Sequence, residues 1–365
     1  MFAISPRHHA PSSHAVHAEH SGVPTILMEH SSTDLASAED SGSNISQANP
    51  KLRDVYLHCR TIARSEEGWN AAPWCFYPGY TRRIRHHLWA VLAFVTAAES
   101  LLTAPAHAGR RRAAIDDYEQ DLVAAFHGGT QKPAFIALAH TVFTCQLPLQ
   151  PFVEYLDGCR MELNYTPLST PFVNFSQLRA YCHCRSQSLG RIIMLLCGQR
   201  DEEVLGFNED LCIGLKLVAL LADTSRSLKY GRCLFPIEDL RHFGIHDHVP
   251  TILHGSDMTM PQRSSSWGHL IRFECARARM LLERGRPLAD YLDGPMKKDV
   301  RRSYHTAQAM LDEIQRLGES ILHIVPQVPT KLGATDPARV EAIQPAWPRW
   351  FSAASPASEP SSSQP

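Results

Sequence analysis

The stretch from Asn208 to Pro236, NEDLCIGLKLVALLADTSRSLKYGRCLFP, constrains this chain more than any other. Asn208 offers a capping side chain, and Glu209 and Asp210 favour the positive end of a helix dipole, so a helix is expected to begin there. Roughly twenty residues follow with apolar side chains on nearly every side, which predicts a central helix about 30 Å long. At about 100° per residue, Cys212, Leu215, Lys216, Ala219, Asp223, Arg226 and Ser227 fall on one stripe. Lys, Asp and Arg on one stripe of a buried helix must line something wet or pair with one another. Gly231-Arg232, with Pro236 beyond, is expected to end the helix.

The rest of the chain reads as helices around this one. Residues 1–48 are rich in Ser, His, Ala and Pro without periodicity, and 335–365 in Pro, Ser and Ala, so both ends are expected to be disordered tails flanking a helical domain over 50–325. Leu52, Val55, Tyr56 and Cys59 recur at helical spacing, and Glu67-Gly68-Trp69-Asn70 is expected to close that segment. Over 82–103, Leu88, Val91, Leu92, Val95 and Glu99 follow the helical repeat, placing a carboxylate on the apolar face. Such a carboxylate needs a cation, a metal or a proton, and pairing with an Arg is the plainest solution. Further helices are predicted over 110–127, 131–145 and 148–163, the last ending in Glu162. Asn174-Phe175-Ser176-Gln177 resembles a capping box and opens a helix through Tyr181, Cys182, Arg185 and Leu189 to Cys197. Gly190 within it suggests a close helix contact or a kink. A short helix after Pro236 and two long ones over 263–284 and 295–322 complete the pattern. No strand alternation stands out, so the fold class is all-α.

Formal net charge is −1, so no global field draws in nucleic acid. Ten cysteines without a C-x-x-C pair read as buried thiols of a reduced, cytoplasmic protein, and Cys182-His183-Cys184 is too tight for structural zinc. No apolar run reaches the roughly 18 residues that span a bilayer, which leaves peripheral membrane contact as the open alternative.

Three groups of residues carry a resemblance: Tyr181-Cys182 with Leu189-Gly190-Arg191; Gly231-Arg232 with Pro236-Ile237-Glu238-Asp239-Leu240; and Arg277-Ala278-Arg279 with Gly285 and Pro287-Leu288. In this order, over about residues 65–322, they look like the squalene/phytoene synthase family, most similar to the hydroxysqualene synthase branch of bacterial hopanoid biosynthesis. The resemblance implies an isoprenoid-synthase helical bundle around a central cavity. It also implies chemistry on farnesyl or presqualene diphosphate, with Mg²⁺ held by two Asp-rich helices against the departing diphosphate.

The departures from that pattern matter as much as the matches. The first Asp-rich motif falls on Glu99-Ser100-Leu101-Leu102-Thr103 and the second on Asp223-Thr224-Ser225-Arg226-Ser227, leaving two carboxylates where the family has five. An Arg usual before the first motif falls on Thr96, amide positions fall on Lys216 and Ala219, and a usual Tyr falls on Leu234. Glu162 stands where the family has an Asp between the motifs, while Arg85 and Arg232 match. Any Mg²⁺ is therefore expected on Glu99, Asp223 and Glu162, and any diphosphate on Arg85, Lys216, Arg226 and Arg232. A cation about 4 Å from a metal position opposes it by about 4 kcal/mol at an effective dielectric near 20, which argues against the usual three-metal cluster. Three readings follow: a divergent enzyme with Glu99 and Asp223 as its catalytic pair, a non-catalytic homologue serving as partner or assembly factor, and an unrelated helical interaction protein. An enzyme needs a deep apolar tunnel, whereas in a scaffold Leu220, Leu234 and Trp89 could fill it.

Overall fold

The computed structural model describes residues 50–63, 82–165, 170–250 and 261–327. The expected tails over 1–48 and 335–365, and the segment end at Glu67–Asn70, lie outside the described residues. Twelve α-helices are described: α1 (Pro50–Ala63), α2 (Arg82–Thr103), α3 (Arg111–Phe126), α4 (Pro133–Cys145), α5 (Gln150–Leu163), α6 (Phe175–Cys182), α7 (Ser188–Leu196), α8 (Glu202–Ala222), α9 (Thr224–Lys229), α10 (Ile237–His242), α11 (Pro261–Gly285) and α12 (Gly294–Leu317). Five π-helical residues, His183–Gln187, join α6 to α7. The all-α expectation holds, and the helices over 82–103, 110–127, 131–145 and 148–163 lie within a residue or two of their predicted bounds.

Helix α8 is central, but it starts earlier than predicted. Asp201, not Asn208, is its cap: the Asp201 carboxylate accepts from the N–H groups of Glu203 and Val204. Glu202 and Glu203 then supply the acidic first turn, so the stronger start signal lies seven residues upstream. Asn208 is buried inside the helix, where its Oδ1 accepts from the Cys212 thiol. The helix also breaks before its predicted end. Thr224 Oγ1 donates back to the Leu221 carbonyl at 2.7 Å, and Asp223 is both the C-cap of α8 and the entry to α9. Gly231, at φ +73°, closes α9 as expected of a left-handed helix end.

Helices α8 and α11 form the most extensive helix pair. Their backbones approach closely because of glycine: a Cβ on Gly285 would lie 2.5 Å from the Leu211 backbone N. Gly190 on α7 does the same against α8, where a Cβ would meet Cys212 Sγ at 2.5 Å, so the predicted close contact is real. Asn174 caps α6 as predicted, accepting from the Gln177 N–H. One large core unites α2 to α12 and takes in Ala63 of α1, which also docks through a small separate cluster of Tyr56, Cys59, Ala90, Ala93 and Ala137. Beneath it Tyr56 Oη meets His140 Nδ1 at 2.8 Å and Thr141 Oγ1 at 2.9 Å. No helix among the described residues is long and apolar enough to cross a membrane.

Candidate functional site

The charged groups predicted from sequence meet around a side chain that sequence reasoning passed over. Arg185, in the π-helical turn, is fully buried. A π-turn adds a residue to the helical turn and re-aims the side chains that follow, and such turns recur at functional sites. From there the guanidinium of Arg185 reaches two helices. Its Nη2 donates to Glu99 Oε1 on α2 at 2.8 Å, its Nε to Glu162 Oε1 on α5 at 2.7 Å, and its Nη1 to Cys159 Sγ at 3.2 Å. The ring of Tyr155 lies 4.8 Å from the guanidinium carbon, and the Tyr155 hydroxyl donates to the same Glu99 oxygen. Tyr181 donates to Glu162 Oε1 at 2.9 Å.

Burial opposes the charge on Arg185, but the carboxylates of Glu162 and Glu99 outweigh it and raise the guanidinium further above its ordinary range. The ion pair is therefore fixed, with Arg185 and Glu162 almost wholly out of water and Glu99 17% exposed. One acceptor is left over. Glu162 Oε2 is buried with no hydrogen-bond partner among the described residues.

Lys216 on α8 lies next in the network. Its Nζ sits 5.3 Å from the centre of the Tyr181 ring, and burial together with the Arg185 charge lowers its pKa to about 8. At the end of α8, Asp223 accepts from Arg226 at 2.7 Å and from Ser227 at 3.4 Å. Burial raises the Asp223 carboxyl, with Arg226, Ser227 and Lys216 opposing. The predicted stripe thus pairs its charges internally. Glu99, Glu162, Lys216 and Asp223 belong to one buried electrostatic network, while Arg226 stays 46% exposed at its edge. Arg85 lies fourteen residues before Glu99 on the same helix, about 21 Å along its axis, and so apart from that carboxylate.

Arg232 lines a cleft beside this network, with Leu217, Leu220, Leu228, Leu234 and Glu274 among its walls. Its volume is about 20 Å³, room for one or two water molecules, whereas pockets for ligands of prenyl size run to roughly 300 Å³ and more. Leu220 and Leu234 are thus among its walls. Trp89 is not: it packs toward α1, with the Arg60 guanidinium 5.3 Å from its ring.

Mg²⁺ is usually held by one or two carboxylates, with water and phosphate oxygens completing its octahedron, and here the candidate carboxylates already serve cationic side chains. Glu99 and Glu162 each already accept from the Arg185 guanidinium, and Asp223 is held by Arg226. Among the described residues, no group of three or more His, Cys, Asp and Glu side chains is placed to hold a metal. Arg185 was visible in the sequence, since it falls four residues after Tyr181 and four before Leu189 on a buried face. Its partners were not, because they lie 23 and 86 residues away.

Comparison with known proteins fits this architecture. A family model described as squalene/phytoene synthase matches residues 78–332. The phytoene synthase of Arthrospira platensis is 25% identical over 263 residues, covering 67% of this chain and 80% of that protein. The 15-cis-phytoene synthase of Synechocystis sp. is 24% identical over 258 residues, covering 67% and 73%. Among solved structures, squalene synthase HpnC from Alicyclobacillus acidocaldarius superposes with a TM-score of 0.65 at 26% identity, covering 76% of this chain and 97% of that one. A dehydrosqualene synthase gives a TM-score of 0.55 at 17% identity, a likeness of fold alone.

Proposed function

The chain belongs to the squalene/phytoene synthase family, whose members condense prenyl diphosphates, and on that premise we propose that it is a non-catalytic homologue serving as a partner of isoprenoid-pathway proteins. The observation that carries this reading is the Arg185 guanidinium between Glu99 and Glu162. Ionising an allylic diphosphate leaves a highly charged anion, and the chemistry depends on cations that appear at the departing group. Here the positive charge is fixed inside the protein, on carboxylates with which it is already paired. The fold supports a retained role, because its core is closely packed and its buried ions are paired.

A second reading is favoured by a different observation, the 97% coverage of HpnC squalene synthase. In that reading the protein is a divergent enzyme acting on farnesyl or presqualene diphosphate. Arg232, in the cleft wall, and Arg226, at the exposed edge of the network, would meet the diphosphate directly, and Glu99 and Asp223 would serve as acids or bases. The two readings separate in one assay. Purified protein is incubated with farnesyl diphosphate and with presqualene diphosphate, with and without Mg²⁺, beside Asp223→Ala, and released diphosphate and organic products are measured. The non-catalytic reading predicts none above background. Turnover that is lost in Asp223→Ala would replace it with the second.

A further inference from the structure

We propose that Tyr56, Thr141, His87 and His140 form an acid-released clamp that holds α1 on the rest of the fold. The inference stands apart from both functional readings, since none of the four groups belongs to the Arg185 network. Helix α1 has few deep anchors: its fully buried side chains are Tyr56, Cys59 and Ala63. The Tyr56 hydroxyl reaches both α2 and α4. It lies 2.8 Å from His140 Nδ1 and 2.9 Å from Thr141 Oγ1 on α4. Thr141 Oγ1 in turn lies 2.9 Å from His87 Nδ1 on α2, and the Tyr56 hydroxyl is 3.3 Å from that same nitrogen.

The supply of hydrogens decides when the clamp closes. Its three short contacts, running from His140 to Tyr56 to Thr141 to His87, need one hydrogen each. The two hydroxyls supply two and one imidazole the third, while the other imidazole accepts at a bare Nδ1. A proton added at Nε2 of the donating imidazole leaves that count unchanged. A second imidazolium puts hydrogens on both Nδ1 atoms. Four hydrogens then compete for three contacts, and one buried hydroxyl loses its acceptor. Two positive charges also come to sit on rings 6.1 Å apart. Burial lowers the His140 pKa, so the docked state refuses a proton that the undocked state takes up. Docking is therefore complete above the ordinary histidine value of about 6.5 and is lost as pH falls below it. The neighbouring groups do not reverse this sign. On α1, burial keeps the Tyr56 hydroxyl protonated and pushes the Cys59 thiol up to about 12. On α2, the His86 ring lies 3.9 Å from that of His87 and adds positive charge when protonated. Arg60 of α1 and Arg85, two residues before His87, are cations already, and Cys145 of α4 is the remaining thiol near Tyr56. Lys51, Arg53, Asp54 and His58 of α1 are exposed.

The test is amide hydrogen exchange of the full-length protein at pH 5 and pH 7.5, each rate corrected for intrinsic exchange at that pH, in wild type, His140→Asn, His87→Asn and Tyr56→Phe. In wild type, protection over residues 50–63 should be about tenfold or more lower at pH 5, since one linked proton shifts an equilibrium up to tenfold per pH unit. Protection in α8 and α11 should hold. Asn offers an oxygen acceptor in place of Nδ1 and cannot take a proton, so each Asn variant should keep α1 docked at pH 7.5 and remove most of the acid loss. Tyr56→Phe should loosen α1 at both pH values. Equal protection of α1 at both pH values in wild type overturns the inference. So does an acid loss undiminished in the Asn variants, a loss that α8 shares equally, or a Tyr56→Phe protein whose α1 is as protected as wild type. Should His87→Asn not fold, His140→Asn, at the less buried end of the chain of contacts, decides.

Discussion

Gly158 and Arg185 fit together as socket and stem: the space a side chain at 158 would take is filled by Cγ and Cδ of Arg185. Gly158→Ala should therefore destabilise the protein by about 1–3 kcal/mol, the usual cost of forcing an extra methyl into a filled core. Gly206 is the control. It is also helical, but nothing lies within 4 Å of a Cβ built there, so Gly206→Ala should stabilise by about 0.5–1 kcal/mol. Urea unfolding of both variants measures the contrast, and equal effects of one sign would show that Arg185 does not need the room.

Removing the buried cation should cost more than removing a surface one. Arg185→Met leaves Glu99 and Glu162 facing each other without their shared partner, and breaking a buried pair from one side costs about 3–5 kcal/mol. Since protonation relieves two unpaired carboxylates, the deficit against wild type should shrink as pH falls toward 4 and grow toward neutrality. Arg279→Met, which breaks a pair with a largely exposed Asp312, should cost about 1 kcal/mol or less in its ionic part. A flat deficit across pH for Arg185→Met would contradict the pairing.

A second buried acid gives a pH dependence of its own. Glu274 on α11 shares Arg277 with Asp239 of α10, at 3.0 and 2.8 Å. Burial first, and the Asp239 charge after it, raise Glu274 to about 8, with Arg277 opposing. The folded state thus holds a proton that the unfolded chain has released by about pH 4.5. Folding stability contributed by this group is full below that pH and falls as pH rises toward 8. Denaturant unfolding from pH 5 to 8 should show that decline in wild type, and Glu274→Gln should flatten it. An unchanged slope in the variant would move the proton to another group.

Leu220 stands in the wall of the cleft beside Arg232 and is 6% exposed. Leu220→Ala should cost about 2–5 kcal/mol, nearer the lower end if the neighbouring leucines collapse into the space. Unfolding by urea reads this directly. A negligible cost would mean that the cleft is wider than its walls imply.

Much of this was legible in the sequence, and the failures have physical causes. The spacing of Leu88, Val91, Leu92 and Val95 gave α2 and put Glu99 on its inner face, because a 3.6-residue period is a local property. The start of α8 was misplaced because Asn208 with Glu209 and Asp210 imitates a helix start, and only packing shows that Asn208 is buried. The break at Asp223 was missed because it depends on the Thr224 hydroxyl turning back onto the helix. Pairing of the charged stripe was foreseen as one of two outcomes. Arg185 was not foreseen as the centre, since a long-range ion pair leaves no trace in periodicity.

The central claim, that Glu99 and Glu162 are held by an internal cation, is tested most directly by a crystal structure of the wild-type protein grown with Mn²⁺ and inorganic diphosphate. Anomalous scattering would locate any bound Mn²⁺. The account predicts the Arg185 guanidinium between the two carboxylates and no anomalous peak there. A peak on Glu99, with Arg185 turned away, would contradict it and return the protein to the metal-dependent enzymes of its family.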